Sequence, residues 1–443
     1  MTAKKRDAAA GTRLQLAAVG LEAEFELYLD DELVRPERRF DSPRDLVRGE
    51  LMHRKGTSYH LPTGNAIYFD TGVVELATPV IEVARGCAAR AGRSLWESIL
   101  FLRRELDAWE GEHGQRARLS GFSTHYNVSF EPGGHGEPAE RTVQRLAKLL
   151  TYLLPAPVML LATNKRSTGV GARPRGERIE ITADFTPSAS LMIATATVIF
   201  GIAREVMKWE RYDLEEAERR GLPILQGFRP KRHTSRKGWL AHVDCYRRDP
   251  FAGDPDAAVW DVSDAFWRRR GEAPRPLSMR QVAWEMIRPF RLAIRRLSDP
   301  FTYRLIESVL SGRAPSLLDL DDRPPEYEDV GRGRRSWDDL FPARVISRSL
   351  YERVLIRAIS GRKLLLDGFA YTPVAMRGWS AVVFRRDDGS REVLSIDQLV
   401  RHLDDWERPG EPRRRPGDRR AKPRAGRDRR LGRTPWGGDP DGG

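Results

Sequence analysis

The side chains able to do chemistry are concentrated in four short alternating stretches in the first half of the chain. In Val19 to Asp30, apolar residues hold the odd positions from Val19 to Leu29, while Glu22, Glu24 and Glu26 hold even ones. The two-residue period of a strand puts these three carboxylates on one face. Such a face can simply be solvated, yet neighbouring carboxylates with no basic residue among them repel unless a cation lies between them. In Tyr68 to Val80, Glu75 stands alone among Val73, Val74, Leu76 and Ala77, and a carboxylate buried in an apolar strand must be paired or bound to a metal. Asp70, beside Gly72, is open between capping a turn and serving a site. In Gly121 to Phe130, His125 shares its face with Ser123, Asn127 and Ser129. A lone histidine is more often structural, but its polar company here marks a candidate site. In Arg178 to Phe185, Arg178, Glu180, Thr182 and Asp184 alternate with apolar residues; Arg178 and Glu180 also read as a plain ion pair.

Four strands of this kind predict one sheet with a polar concave surface, and the chemistry of that surface is a cation and phosphate site. Clustered carboxylates with one imidazole and no thiolate suit a hard divalent ion, Mg²⁺ or Mn²⁺, which commonly bridges nucleotide phosphates. Before the fourth strand runs the Gly-punctuated segment Thr163 to Arg178, with Lys165, Arg166, Arg173 and Arg175. A loop of that composition can clamp the oxygens of a transferring phosphoryl group, although Arg175 reads equally as an exposed basic residue. The sequence has no Walker motif, no strand-linked GxGxxG and no GxSxG elbow.

The elements that must position these residues are legible in outline. Up to about Asp184 the pattern is short strands separated by Gly and Pro turns, with helices near Arg90 to Glu112 and Glu140 to Leu154. Beyond it helices dominate. Thr186 and Pro187 read as a helix start opening an apolar run from Ser188 to about Arg220. Further helices are predicted over Val259 to Arg270, Ser278 to Leu297, Pro300 to Ser311 and Ala343 to Ser360. Leu318 to Trp337 reads as a loop, and a small strand module turns at Asp388-Gly389 within Trp379 to Ser395. The predicted organisation is a disordered N-terminus over 1–13, a catalytic sheet with its helices over 14–220, a mainly helical half with the strand module over 221–406, and a disordered Arg-rich tail over 407–443.

The 443 residues carry 76 Lys and Arg against 63 Asp and Glu, a formal charge of +13. Residues 407–443 hold +6 of this and residues 1–13 hold +3, leaving +4 for the body. The excess therefore sits in segments with too few apolar residues to fold, and nucleic acid is expected to touch the protein only weakly, through the basic tail. No run of about 18 consecutive apolar residues suggests a membrane span, and the N-terminus lacks the apolar core of a secretory signal, so a cytoplasmic protein without membrane association is expected. Two cysteines, Cys87 and Cys245, are too few for a disulfide framework or a thiolate cage.

The order GLEAEF, DTGVVELATP, STHYNVSF, RIEITAD resembles the successive sheet strands of the glutamine-synthetase-like carboxylate-amine ligases, the superfamily of glutamate-cysteine ligases and amidoligases. The resemblance covers roughly residues 14 to 210. It implies an α+β fold, an antiparallel sheet backed by helices whose concave face binds ATP and two or three Mg²⁺ ions. Glu22, Glu24, Glu75 and Glu180 then match metal-binding carboxylates, His125 a metal or nucleotide contact, and Arg178 a phosphate or acyl-phosphate contact. Two positions depart from the pattern: Asn127 stands at the nucleotide contact where many relatives have a second histidine, and Thr182 where a second arginine often follows.

The activity this implies is an ATP-dependent ligase that forms an amide through an acyl phosphate. A carboxylate resists amines because its carbonyl is electron-rich and oxide is a hopeless leaving group. ATP converts it to a mixed anhydride while metal ions and arginines neutralise the moving phosphoryl group. Glu26 or Asp184 then accepts the amine's proton. The expected partners are small-molecule carboxylate and amine substrates, with oligomerisation left open. Two other classes use the same residues: a noncatalytic ligase-like protein holding RNA or a protein partner, and a kinase that phosphorylates a small molecule and stops there.

Overall fold

The computed structural model describes residues 13–133, 139–167, 169–233, 237–242, 245–246, 255–261, 276–320, 323–341 and 346–407. The segments read as disordered, 1–13 and 407–443, lie almost wholly outside these residues.

Twelve strands form one sheet: β1 (Arg13–Leu29), β2 (Glu32–Val34), β3 (Met52–Lys55), β4 (Ser58–His60), β5 (Ala66–Asp70), β6 (Val73–Ala77), β7 (Ile81–Glu82), β8 (Ala117–Gly133), β9 (Gly169–Arg175), β10 (Arg178–Asp184), β11 (Lys231–Arg232) and β12 (Trp239–His242). Their order is β11-β12-β9-β10-β8-β1-β6-β5-β4-β3, with β2 and β7 also pairing β1. The neighbours pair antiparallel. The long strands β1 and β8 lie at the middle, which makes their side chains the centre of any site on the sheet. Along β1, Leu21, Ala23, Phe25, Leu27 and Leu29 are buried while Glu22, Glu24 and Glu26 are half-buried on the other face. The two-residue alternation thus separates a packed face from a chemical one.

Helices cover the packed face. The helix Cys87–His113 lies against β1, β6, β7 and β8, and the helices Ala139–Leu153 and Pro155–Ala162 lie against β9 and β10. The helix Ala189–Val206 packs on β1 and β8 and on the helices Cys87–His113, Pro155–Ala162 and Arg291–Leu297. It is long and apolar enough to cross a membrane, but 83% of that stretch is buried inside the fold, as expected of a helix apolar on all sides in a large core. Its N-cap is Ser188, whose hydroxyl accepts from the Leu191 amide, not Thr186; the buried Thr186 hydroxyl instead donates to the Ala162 carbonyl. Continuous apolar core runs from Leu14 to Trp337 without a break near residue 220.

Other predicted helices are shorter or replaced. Ala258–Asp261 is a strand, β13, paired with β14 (Pro276–Ser278); Val259 and Trp260 are β-formers whose packing decides the local structure, and the rest of the expected helix lies outside the described residues. Ser278 to Leu297 is interrupted by a 3-10 turn at Arg288–Phe290 containing Pro289. A helix spans Leu350–Ile359. It and the strands β15 (Leu364–Leu366), β16 (Phe369–Arg377), β17 (Ala381–Arg386) and β18 (Arg391–Ser395) form a four-stranded C-terminal module with its own apolar cluster. That module packs on β3, the edge of the main sheet.

Candidate active site

Register brings the predicted residues into rows across the chemical face. Glu22 is opposite His125 on β8 and Ala77 on β6; Glu24 is opposite Ser123 and Glu75; Glu75 is opposite Tyr68 on β5. On the other side of β8, Thr182 faces His125, Glu180 faces Asn127 and Asp184 faces Ser123. The β1–β8 register slips so that Glu24 pairs Ser123 while Phe25 pairs Gly121. Phe122 is the extra residue of this bulge, and its ring is 54% exposed. Gly121 is required there, because a Cβ would run into the Phe185 ring.

Glu22, Glu75 and His125 each place one ligand atom within 4.8 Å of the others. The imidazole Nδ1 lies 3.3 Å from Glu22 Oε2, and Nε2 lies 3.7 Å from Glu24 Oε1. Ser123 donates to Glu24 Oε2 at 2.5 Å and sits 3.2 Å from His125 Nε2. Tyr68 donates its hydroxyl to Glu75. Burial and the charge of Glu22 push Glu75 up to about 9, against the opposing Tyr68 hydrogen bond. Burial also acts on Glu22, but its hydrogen bond to His125 and the charges of His125 and Arg178 outweigh it and hold it below the usual carboxylate range. Two carboxylates whose proton affinities are driven apart in this way form a site lacking one positive charge. Beside them a buried carbonyl oxygen, Asn127 Oδ1, has no hydrogen-bond partner among the described residues. Carboxylate, imidazole and amide oxygen fit a hard divalent cation. Glu24 borders this group. Glu180 does not join it: its two oxygens take Arg173 at 3.0 Å, Arg175 at 3.0 Å and Arg178 at 2.7 Å. In place of the expected metal ligand, the structure shows a buried anchor for three guanidiniums. The predicted Arg178–Glu180 ion pair is one of those contacts.

The chemical face opens into a cleft of about 900 Å³ lined by Glu24, Glu26, Asp70, His125, Arg166, Arg173, Asp184, His233 and Arg323 among others. Arg173 reaches the imidazole of His125 at 3.5 Å. Lys165 is not part of this lining. Glu26 accepts the Tyr28 hydroxyl at 3.2 Å. Asp70 ends β5 at the two-residue turn Thr71-Gly72, where both residues have positive φ; it accepts the Thr71 hydroxyl at 2.8 Å and faces the cleft as well. Asp184 accepts Asn164 Nδ2 at 2.9 Å, and burial pushes it up to about 6 despite a hydrogen bond from Ser167.

Sequence reasoning missed Tyr68, Arg54, His233 and Arg323. His233 Nε2 lies 3.3 Å from the Thr182 hydroxyl, and both pack over Gly171, where a Cβ would strike each of them; burial and the charge of Arg173 push this imidazole down to about 4. Arg323 donates to the Gly121 carbonyl from a segment read only as a loop. Tyr68 was visible as the aromatic at the start of the Glu75 hairpin, where it falls opposite Glu75 once the turn length is known.

No family model matches the sequence, and none of the curated proteins does. Among solved structures, the chain is similar to a complex between the prokaryotic ubiquitin-like protein Pup and its ligase PafA, at 12% identity and a TM-score of 0.47 over 88% of this chain and 92% of that one. It is also similar to the Pup ligase PafA in complex with ADP, at 12% identity and a TM-score of 0.40 over 83% and 93%. The architecture agrees with the α+β expectation, a large antiparallel sheet backed by helices. Because the first of these ligases is held in complex with a protein, the expectation of small-molecule carboxylate and amine substrates as partners is withdrawn.

Proposed function

We propose that this chain is an ATP- and Mg²⁺-dependent carboxylate-amine ligase whose carboxylate is carried by a protein. The observation that carries the reading is the meeting of the Glu22, Glu75 and His125 cluster with the Arg173, Arg175 and Arg178 wall on one open sheet face. A metal held by the cluster would neutralise phosphate charge during transfer. Arg173 and Arg178, fixed by Glu180, hold the phosphoryl oxygens in line. The substrate carboxylate oxygen attacks the γ-phosphorus and ADP leaves. The amine nitrogen then attacks the acyl carbon, phosphate departs, and the amine's proton passes to Glu26 or Asp184, both of which line the cleft.

The cleft supports a protein substrate. Leu33 and Phe122 at its wall are 56% and 54% exposed. Exposed apolar side chains beside a polar centre suit a chain segment lying across the site. The test is incubation with ATP, Mg²⁺ and a cell extract containing candidate protein substrates, read by ATP-dependent mass shifts and by phosphate release. Amide-linked conjugates lost in Glu75→Gln support the reading. Phosphorylated products without conjugates, or no ATP binding, refute it.

A further inference from the structure

Arg54, on the edge strand β3, approaches the site from the side opposite the Glu180 arginines. Its Nη1 donates to Ser58 Oγ at 3.2 Å, while its buried Nε has no hydrogen-bond partner among the described residues. It forms no ion pair among the described residues, although the charges of Glu22, Glu75 and Arg178 all act on it. A partly desolvated guanidinium without a carboxylate partner is costly unless it receives an anion. What holds it is aromatic: its Cζ lies 4.8 Å from the Trp379 ring centre and 5.9 Å from that of Tyr68. Trp379 belongs to the C-terminal module, between β16 and β17. Its ring is in turn met edge-on by His60 of β4 at 4.8 Å and 79°, so its own place is fixed by packing. The module therefore reaches the edge of the main sheet and steadies a cation on which the charges of Glu22 and Glu75 act.

Resting on the ligase reading, we propose that Arg54 contacts the polyphosphate of the nucleotide, and that Trp379 is the positioning residue that holds it there, making the C-terminal module a working part of the site. The guanidinium supplies charge-assisted hydrogen bonds to phosphate oxygens, and the indole face restricts its rotamers by a cation-π contact.

The experiment measures dissociation constants of MgATP and AMP for the full chain by titration calorimetry. Arg54→Gln should weaken MgATP binding by about tenfold or more, the scale of one lost charged hydrogen bond, and leave AMP within about twofold. Arg54→Lys, which keeps the charge but not the fork, should fall between. Trp379→Ala should weaken MgATP about threefold or more, and Trp379→Phe should restore it. In the double variant Arg54→Gln/Trp379→Ala the two effects should not add, since the indole acts through the guanidinium. Unchanged MgATP affinity in Arg54→Gln and Arg54→Lys, equal losses for AMP and MgATP, or additive effects overturn the proposal. Wild-type protein that binds neither nucleotide overturns the ligase reading and this proposal with it. Wild-type binding unaltered in the variants overturns this proposal alone.

Discussion

Glu24 and Glu75 stand directly opposite each other in the antiparallel pair of β1 and β6. Like charges at paired register positions are destabilising, and this pair has Glu22 as a further neighbour. The Tyr68 hydroxyl answers part of the charge from the far side of Glu75. Tyr68→Phe removes a hydrogen bond that favours the ionised carboxylate, so a cation must displace a more tightly held proton. Mg²⁺ affinity, read from the metal dependence of the melting temperature, should fall about fivefold, equivalent to about 1 kcal/mol. Unchanged affinity would show that Glu75 is not a ligand.

Glu180 is 2% exposed and carries three arginines. Glu180→Gln should destabilise the fold by about 2 kcal/mol, less than a fully buried pair would cost because Arg175 and Arg178 are partly exposed. Turnover should drop far more than substrate binding, since Arg173 loses its aim but stays in the cleft lining. Denaturant melts with steady-state kinetics check both. A variant that keeps full turnover would remove the arginine wall from the mechanism.

Asp184 is raised from 3.8 to about 6 by burial. Its stabilising protonated form is complete below about pH 4 and is lost as the pH rises through 6, so the ionised group costs stability in neutral solution. Asp184→Asn should therefore be more stable than wild type at pH 8, by up to about 3 kcal/mol for a shift of that size, and the gap should close by pH 4. A gap that widens on acidification would contradict the assignment.

Much of the site was legible because strand alternation is local. The odd and even positions of Val19 to Leu29 separate a core face from a carboxylate face by the two-residue period alone, and the polar company of His125 has the same origin. Register is not local. That Glu24 meets Glu75, or that Glu180 turns toward three arginines and away from Glu22, depends on which strands pair and on the bulge at Phe122, which no period reveals. Arg54, His233 and Arg323 come from an edge strand and connecting segments whose composition resembles any basic surface. Their role depends on contacts with Trp379, Thr182 and Gly121, between 51 and 325 residues away in sequence. Val259 and Trp260 failed as a helix because two-stranded pairing with Pro276–Ser278 overrode an ambiguous apolar run.

Gly171 tests whether the β9 edge is part of the site. A methyl group there meets Thr182 and His233 together, and overpacking of this kind costs about 1–3 kcal/mol. Gly171→Ala should lower the melting temperature and, by displacing His233 from the cleft wall, weaken ATP binding. Thr182→Ala in the same background, which removes the hydroxyl oxygen that the new methyl would strike, should recover part of both. Loss of stability with intact ATP affinity would confine this edge to a structural role.

The most direct test of the metal cluster compares thermal melts of wild type and Glu75→Gln in chelator and in Mg²⁺ at pH 8. Glu75 is raised to about 9, so the metal-free fold either holds a proton on it or bears the repulsion of Glu22, and Gln removes that burden while keeping the shape. Glu75→Gln should melt at or above wild type in chelator. Wild type should gain stability in Mg²⁺, by about 2.7 kcal/mol at a hundredfold excess over the dissociation constant, and the variant should gain much less. Equal gains in both proteins, or a variant that melts below wild type in chelator, would contradict a metal site built on Glu22, Glu75 and His125.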